Sequence, residues 1–206
     1  MSGITLIVAA VLFWISWALM PGVGVTNPNE IFKLVGAARP WVAASVVTQL
    51  ISAVLYVTAL QGVVGNSRIG HFRGVRWGAG LLAVGAMGSV ADAVLHLLAY
   101  AMTAPGVDRA AVTPVMAFMQ GPGLVVHAPM ILSFFVGGPV LASALARIGV
   151  ASRWNAPLHL IGVALAVVGG GLASAGWMSS RVVGLAVLAT ISVAQAWTGT
   201  ALTRSA

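Results

Sequence analysis

The sequence predicts an all-α, polytopic integral membrane protein, a bundle of about six transmembrane helices in a single domain over residues 1–206. Sixty per cent of the residues are hydrophobic and only 6% are charged, whereas a soluble domain carries about 25% charged residues. Six apolar runs approach or exceed the roughly 20 residues that a helix needs to cross the hydrocarbon core. These runs cover about 4–20, 41–63, 77–103, 124–146, 156–177 and 182–202.

The basic residues of the loops predict the orientation of these spans. Arg68, Arg73 and Arg76 follow the second span, and Arg147 and Arg153 follow the fourth. Because basic loops stay on the cytoplasmic side, we expect both termini to be cytoplasmic in a multi-pass protein of the cell membrane. The scattered loop residues also account for the net charge of +7, so the bilayer is the expected partner and nucleic acid is not. The absence of cysteine excludes disulfides and thiolate metal sites.

The first span has no basic segment before it, so we interpret it as a retained helix and not a cleaved signal.

Two connections on the outer side carry structure of their own. In segment 21–40, Asn29 is a candidate cap for a short amphipathic turn that begins near Ile31. In loop 104–123, the apolar run 112–120 is too short to span and indicates an interfacial or re-entrant piece.

The second span has a polar face. Its polar residues recur at helical spacing and therefore share one side; these residues are Ser45, Thr48, Gln49, Ser52 and Tyr56. Since amides and hydroxyls find no partners in hydrocarbon, we expect this face to point inward. It is either part of a polar pocket or a set of ordinary interhelical hydrogen bonds.

The third span contains the main candidate site. Asp92 and His96 are four residues apart in its outer half and share a helical face. A carboxylate at the centre of a membrane helix costs at least about 2.5–3.5 kcal/mol on insertion scales, so Asp92 needs a partner or a function. Gln49 is expected at a similar depth and is a candidate partner.

The fourth span supplies a second imidazole. His127 lies near its outer start, at a depth within roughly 6 Å of His96 if the two helices are antiparallel neighbours. Gln120, just before this span, is a further candidate for the same pocket. Pro129 and the run Gly137-Gly138-Pro139 predict a kinked or broken helix, which membrane proteins tolerate beside a cavity.

Three interpretations of these residues stay open. In the first, His96 and His127 are axial ligands of a haem b in an electron-transfer subunit, with a quinol or another hydrophobic small molecule bound nearby and Asp92 orienting His96. A copper or zinc ion on Asp92, His96 and His127 is the variant. In the second, Asp92 and His96 form a proton or solute pathway of a small transporter, or His96 is the general base of an enzyme. In the third, no cofactor binds, and the chain is a scaffold that packs against partner subunits or a second copy.

Overall fold

The computed structural model describes residues 1–205, apart from the side chain of Val126, and within that range it is all-helical. It has eight helices: α1 Ser2–Leu19, α2 Pro28–Ala37, α3 Arg39–Gly65, α4 Arg73–Met102, α5 Arg109–Gln120, α6 Leu124–Arg147, α7 Asn155–Ser174 and α8 Ser180–Arg204. Six of these, all but α2 and α5, are long and apolar enough to cross a membrane. The chain is therefore a multi-pass membrane protein, as the hydropathy predicts.

The six long helices close into a ring. Each packs on two neighbours in the order α1, α3, α4, α6, α7, α8 and back to α1. The ring closes at the termini, where Gly3 of α1 lies against Gly199 and Thr203 of α8. The short helices α2 and α5 pack on each other and on α4 at the opposite end. We call these two ends of the bundle the terminal end and the capped end.

Glycines set the spacing and the register of α4 against α6. A Cβ on Gly85 would lie 2.5 Å from both Cα and Cβ of Phe134, and one on Gly78 would lie 2.5 Å from the backbone nitrogen of Leu141. Only small residues allow helices to approach this closely. The two contacts are seven residues apart on both antiparallel helices. Seven residues further toward the capped end, the same register sets Asp92 of α4 level with His127 of α6.

An aromatic cluster fills the middle of the ring. The ring of Phe13 lies 4.8 Å from that of Phe134 and 6.2 Å from that of Tyr56, between centroids. Below it, the Tyr56 hydroxyl donates to Gln195, and buried Asn155 is hydrogen-bonded to Thr198. The terminal half of the bundle is thus closed by packed aromatic and polar side chains.

Helix α6 is continuous through Gly137, Gly138 and Pro139, so the expected break in this helix is not present. The two glycines are used for close packing instead. A Cβ on Gly137 would lie 2.5 Å from the backbone nitrogen of Leu82, and one on Gly138 would lie 2.6 Å from the His159 ring. Neighbouring helices hold this segment on both sides, which favours a continuous helix despite the proline.

The two short helices of the capped end have clear local causes. Asn27, and not Asn29, is the N-cap of α2, since its side chain accepts hydrogen bonds from the amides of Asn29 and Glu30 and Pro28 fits the first helical position. Helix α5 is capped by Asp108, which accepts from the amide of Ala110 at 2.9 Å. The apolar run predicted as interfacial is therefore a complete short helix.

Candidate functional site

The Asp92 carboxylate lies inside the ring in the capped half of the bundle. The Gln49 amide of α3 donates to its Oδ2 at 2.8 Å, so the second and third spans meet as the depth of their polar residues predicts. The Nε2 atom of His96 lies 3.6 Å from the same oxygen, which is too far for a hydrogen bond. The Asp92 and His96 side chains retain 16% and 13% of their exposure, so both are mostly withdrawn from the surface.

His96 packs against a tryptophan of the first helix. The rings of Trp17 and His96 meet edge to face, 5.5 Å apart between centroids. Within the described residues, the Nε1 of Trp17 and the Nδ1 of His96 are buried without a hydrogen-bond partner. Trp17 is partly buried inside the ring. Trp17 is four residues from Phe13 and shares its helical face. This spacing is the sequence feature from which the inward direction of Trp17 could have been predicted.

His127 approaches the site from α6. Its side chain is 7% exposed, and the register of the glycine contacts sets it level with Asp92. His96 is one helical turn further toward the capped end, about 6 Å along the axis. The structure therefore brings His127 to the level of the carboxylate, while His96 is turned toward α1.

A cavity of about 490 Å³ occupies the capped half of the ring and is open on one side. Asp92 and His127 both line it, whereas His96 is not among its described lining residues. Most of its wall is apolar, with Phe13 and Phe134 at the base, and none of the described lining residues is Lys or Arg. This is a hydrophobic compartment with one carboxylate and one imidazole in its wall.

Helix α7 forms the wall of the cavity with the smallest side chains. Ala166, Gly170 and Ala173 line it, and a Cβ on Gly170 would meet nothing within 4 Å. The neighbouring Gly162 and Gly169 pack against Ile191 and Val183 of α8. The small residues of α7 therefore serve two purposes, since some pack against α8 and others leave space.

The other residues of the predicted polar pocket lie elsewhere. Ser45 and Ser52 are buried and donate to the carbonyls of Ser16 and Ala9 of α1, at 2.7 and 2.8 Å, so they join two helices. Tyr56 points below the aromatic cluster toward Gln195. Gln120 is the last residue of α5 and is partly exposed; among the described residues, no hydrogen bond connects its side chain to Asp92, His96 or His127.

Within residues 1–205, no group of three or more His, Cys, Asp or Glu side chains is placed to hold a metal ion. Comparison with known proteins returned no matching family, no matching curated protein and no matching solved structure. The cavity and the residues in its wall are therefore the features of this protein that bear on its function.

Proposed function

We propose that this protein binds a hydrophobic small molecule in the cavity of its capped half, with a polar head directed to Asp92 and His127. The observation that carries the proposal is an apolar compartment of about 490 Å³ whose wall contains an intramembrane carboxylate. Small-molecule sites have volumes of about 300–1,000 Å³ and combine an apolar lining with a few polar groups. An ionisable residue inside a membrane span is by default a candidate functional residue.

The chemistry of the wall favours a head group that donates a hydrogen bond, such as the hydroxyl of a quinol. A carboxylate only accepts hydrogen bonds, while an imidazole can either donate or accept. Gln49 holds one oxygen of Asp92 and so fixes the direction of the carboxylate. A quinol hydroxyl bound here would donate to Asp92, with His127 as its second polar contact. If the basic loops of the terminal end are cytoplasmic, as the positive-inside rule predicts, the cavity lies in the outer half of the bilayer.

Binding of a decyl-tailed benzoquinol to the purified protein in lipid nanodiscs tests this proposal. We expect saturable one-to-one binding that weakens at least tenfold in Asp92→Asn, which replaces one acceptor oxygen by a donor amide, and in His127→Ala, which removes the imidazole. Glu30→Gln is the matched control, because Glu30 is an exposed acid of α2. Wild-type protein that binds no quinol, or equal affinity in all variants, would contradict the proposal.

A second candidate, the binding of haem b or of a copper or zinc ion, is favoured by the state of His96. Its Nδ1 is buried without a partner and its Nε2 is directed to Asp92, as in imidazoles that ligate a metal while a carboxylate orients them. His96 and His127 would be the axial ligands of a haem, and Asp92 would join them around a copper or zinc ion. In both cases the haem or the metal ion would have to span the offset of one helical turn between the His96 and His127 rings.

The optical spectrum and metal content of the pure protein test this second candidate. A Soret band, or stoichiometric copper or zinc, that is lost in His96→Ala and in His127→Ala would support it. A colourless, metal-free protein would contradict it. If quinol binding also failed, a transport or scaffold role would be left, and proton flux in liposomes that Asp92→Asn abolishes would separate those two.

A further inference from the structure

On the side formed by α2–α5, the capped end of the bundle is closed by hydrogen bonds and by apolar packing. Arg39 donates to the carbonyl of Tyr100 at 2.6 Å and to the Thr103 hydroxyl at 2.8 Å, and its guanidinium lies 3.8 Å from the centre of the Tyr100 ring. Arg109 donates to the carbonyl of Thr103 at 3.2 Å. Beneath these arginines, fully buried Val35, Val42 and Met116 form one cluster. This packed layer covers the side of the capped end formed by α2–α5, whereas exposed Ser174 and Ser180, at the adjacent ends of α7 and α8, also line the cavity.

The side of the bundle between α6 and α7 is not closed in the same way. These helices meet in the terminal half, where Gly138 lies against the His159 ring. In the capped half the cavity lies between them, with Ile131 and Phe135 on one side and Ala166 and Gly170 on the other. Helix α7 is also the least enclosed of the spans, with 17% of its most apolar stretch buried against 28–44% in the other five.

From this asymmetry we infer that the ligand is an uncharged, single-tailed amphiphile that enters sideways from the bilayer, between the capped halves of α6 and α7. Its head reaches Asp92, and its tail remains in the lateral opening. The inference rests on the proposed function, since it assumes that the cavity binds a ligand. It adds the class of that ligand and the route by which it arrives.

Electrostatics restricts the head group further. Asp92 is the only acidic residue in the described lining, and no Lys or Arg lines the cavity to pair with an anion. A phosphate or carboxylate head would therefore lose its hydration without a cationic partner, which is unfavourable in an apolar environment. The lining thus favours an uncharged, hydroxyl-bearing lipid over anionic phospholipids and fatty acids.

Two adjacent glycines provide a matched pair of variants for the route. A Cβ added at Gly170 or at Gly171 would meet no other group within 4 Å, and both residues are exposed. Of these two glycines, Gly170 lines the cavity and Gly171 is not among its described lining residues. Gly170→Leu should weaken binding of the decyl-tailed benzoquinol at least tenfold and leave its tail-less parent within twofold. Gly171→Leu should change neither. Equal weakening of both probes by Gly170→Leu, or of neither, would overturn the inference.

A readout that needs no ligand separates the route from the binding proposal. The sequence contains no cysteine, so Ser89→Cys, on the α4 wall of the cavity, introduces a single thiol. We expect this thiol to react with a long-chain maleimide dissolved in the bilayer and to resist a charged, water-soluble maleimide. Faster reaction with the charged reagent, or reaction with neither, would refute lateral access even if quinol binding were established. A wild-type dimer that Gly170→Leu converts to monomers would also refute it, because a second copy would then fill the opening.

Discussion

A single methyl group added to Gly85 tests whether the close α4–α6 contact holds the cavity in shape. In Gly85→Ala the new Cβ would lie 2.5 Å from Cα and Cβ of Phe134, whereas carbon atoms pack at about 3.5–4.0 Å. The two helices must therefore separate by about 1 Å. Overpacking of this kind costs about 1–3 kcal/mol, and the gain in helix propensity offsets about 0.5–1 kcal/mol of that cost.

Gly80→Ala is the matched control, because Gly80 belongs to the same helix, is exposed, and would bring no atom within 4 Å of its new Cβ. Both variants gain the same helix propensity, so the difference between them isolates the contact and should be about 1–3 kcal/mol. At about 2–4 °C per kcal/mol for a chain of this size, thermal unfolding in detergent should show Gly85→Ala lower by about 2–12 °C. Equal melting temperatures would refute the assignment of this contact as the one that sets the helix spacing.

Two further predictions concern the polar contacts around the cavity. A double-mutant cycle of Gln49→Ala and Asp92→Ala, measured by the free energy of unfolding, should give a coupling energy of about 1.5–3 kcal/mol, as for hydrogen bonds to charged groups. A coupling energy near 0.6 kcal/mol, the average for interhelical hydrogen bonds in membranes, would contradict a charged partner for Gln49. Arg39→Met should loosen the cap, because it removes the bonds of the guanidinium to Thr103 and to the end of α4. Because the lost bonds contribute about 1–1.5 kcal/mol, amide hydrogen exchange in α2 should accelerate about tenfold. Lys33→Met, which changes an exposed residue of α2, should leave this exchange rate unaltered.

The spans and their order followed from hydropathy alone, because lipid imposes one strong requirement on every helix. The second span, expected at 41–63, is the helix Arg39–Gly65, and the third, expected at 77–103, is Arg73–Met102. The helices begin earlier because they continue past the apolar segment into the interface. Hydropathy marks where the hydrocarbon begins, and it does not mark where the backbone stops being helical.

The contents of the site were harder to predict, because they depend on how the helices are rotated about their axes. The contact between Gln49 and Asp92 followed from depth, which a count of residues supplies. The direction of His96 did not, since an intermediate position on α4 can be turned toward α1 or toward α6. Glycines were ambiguous for a related reason: Gly138 beside a proline favours a break, but α6 is continuous there and the glycine leaves room for the His159 ring.

The position of the cavity follows from where the chain has small residues without large ones opposite them. In the terminal half, Gly78 faces Leu141 and Gly162 faces Ile191. In the capped half of α7, Gly170 faces open space instead. If the small residues served only to let helices approach, α6 would close against α7 here as it does at Gly138. The space persists beside Asp92, the residue for which burial in a packed apolar seam would cost most, and this coincidence supports the proposal that the opening and the carboxylate belong to one binding site.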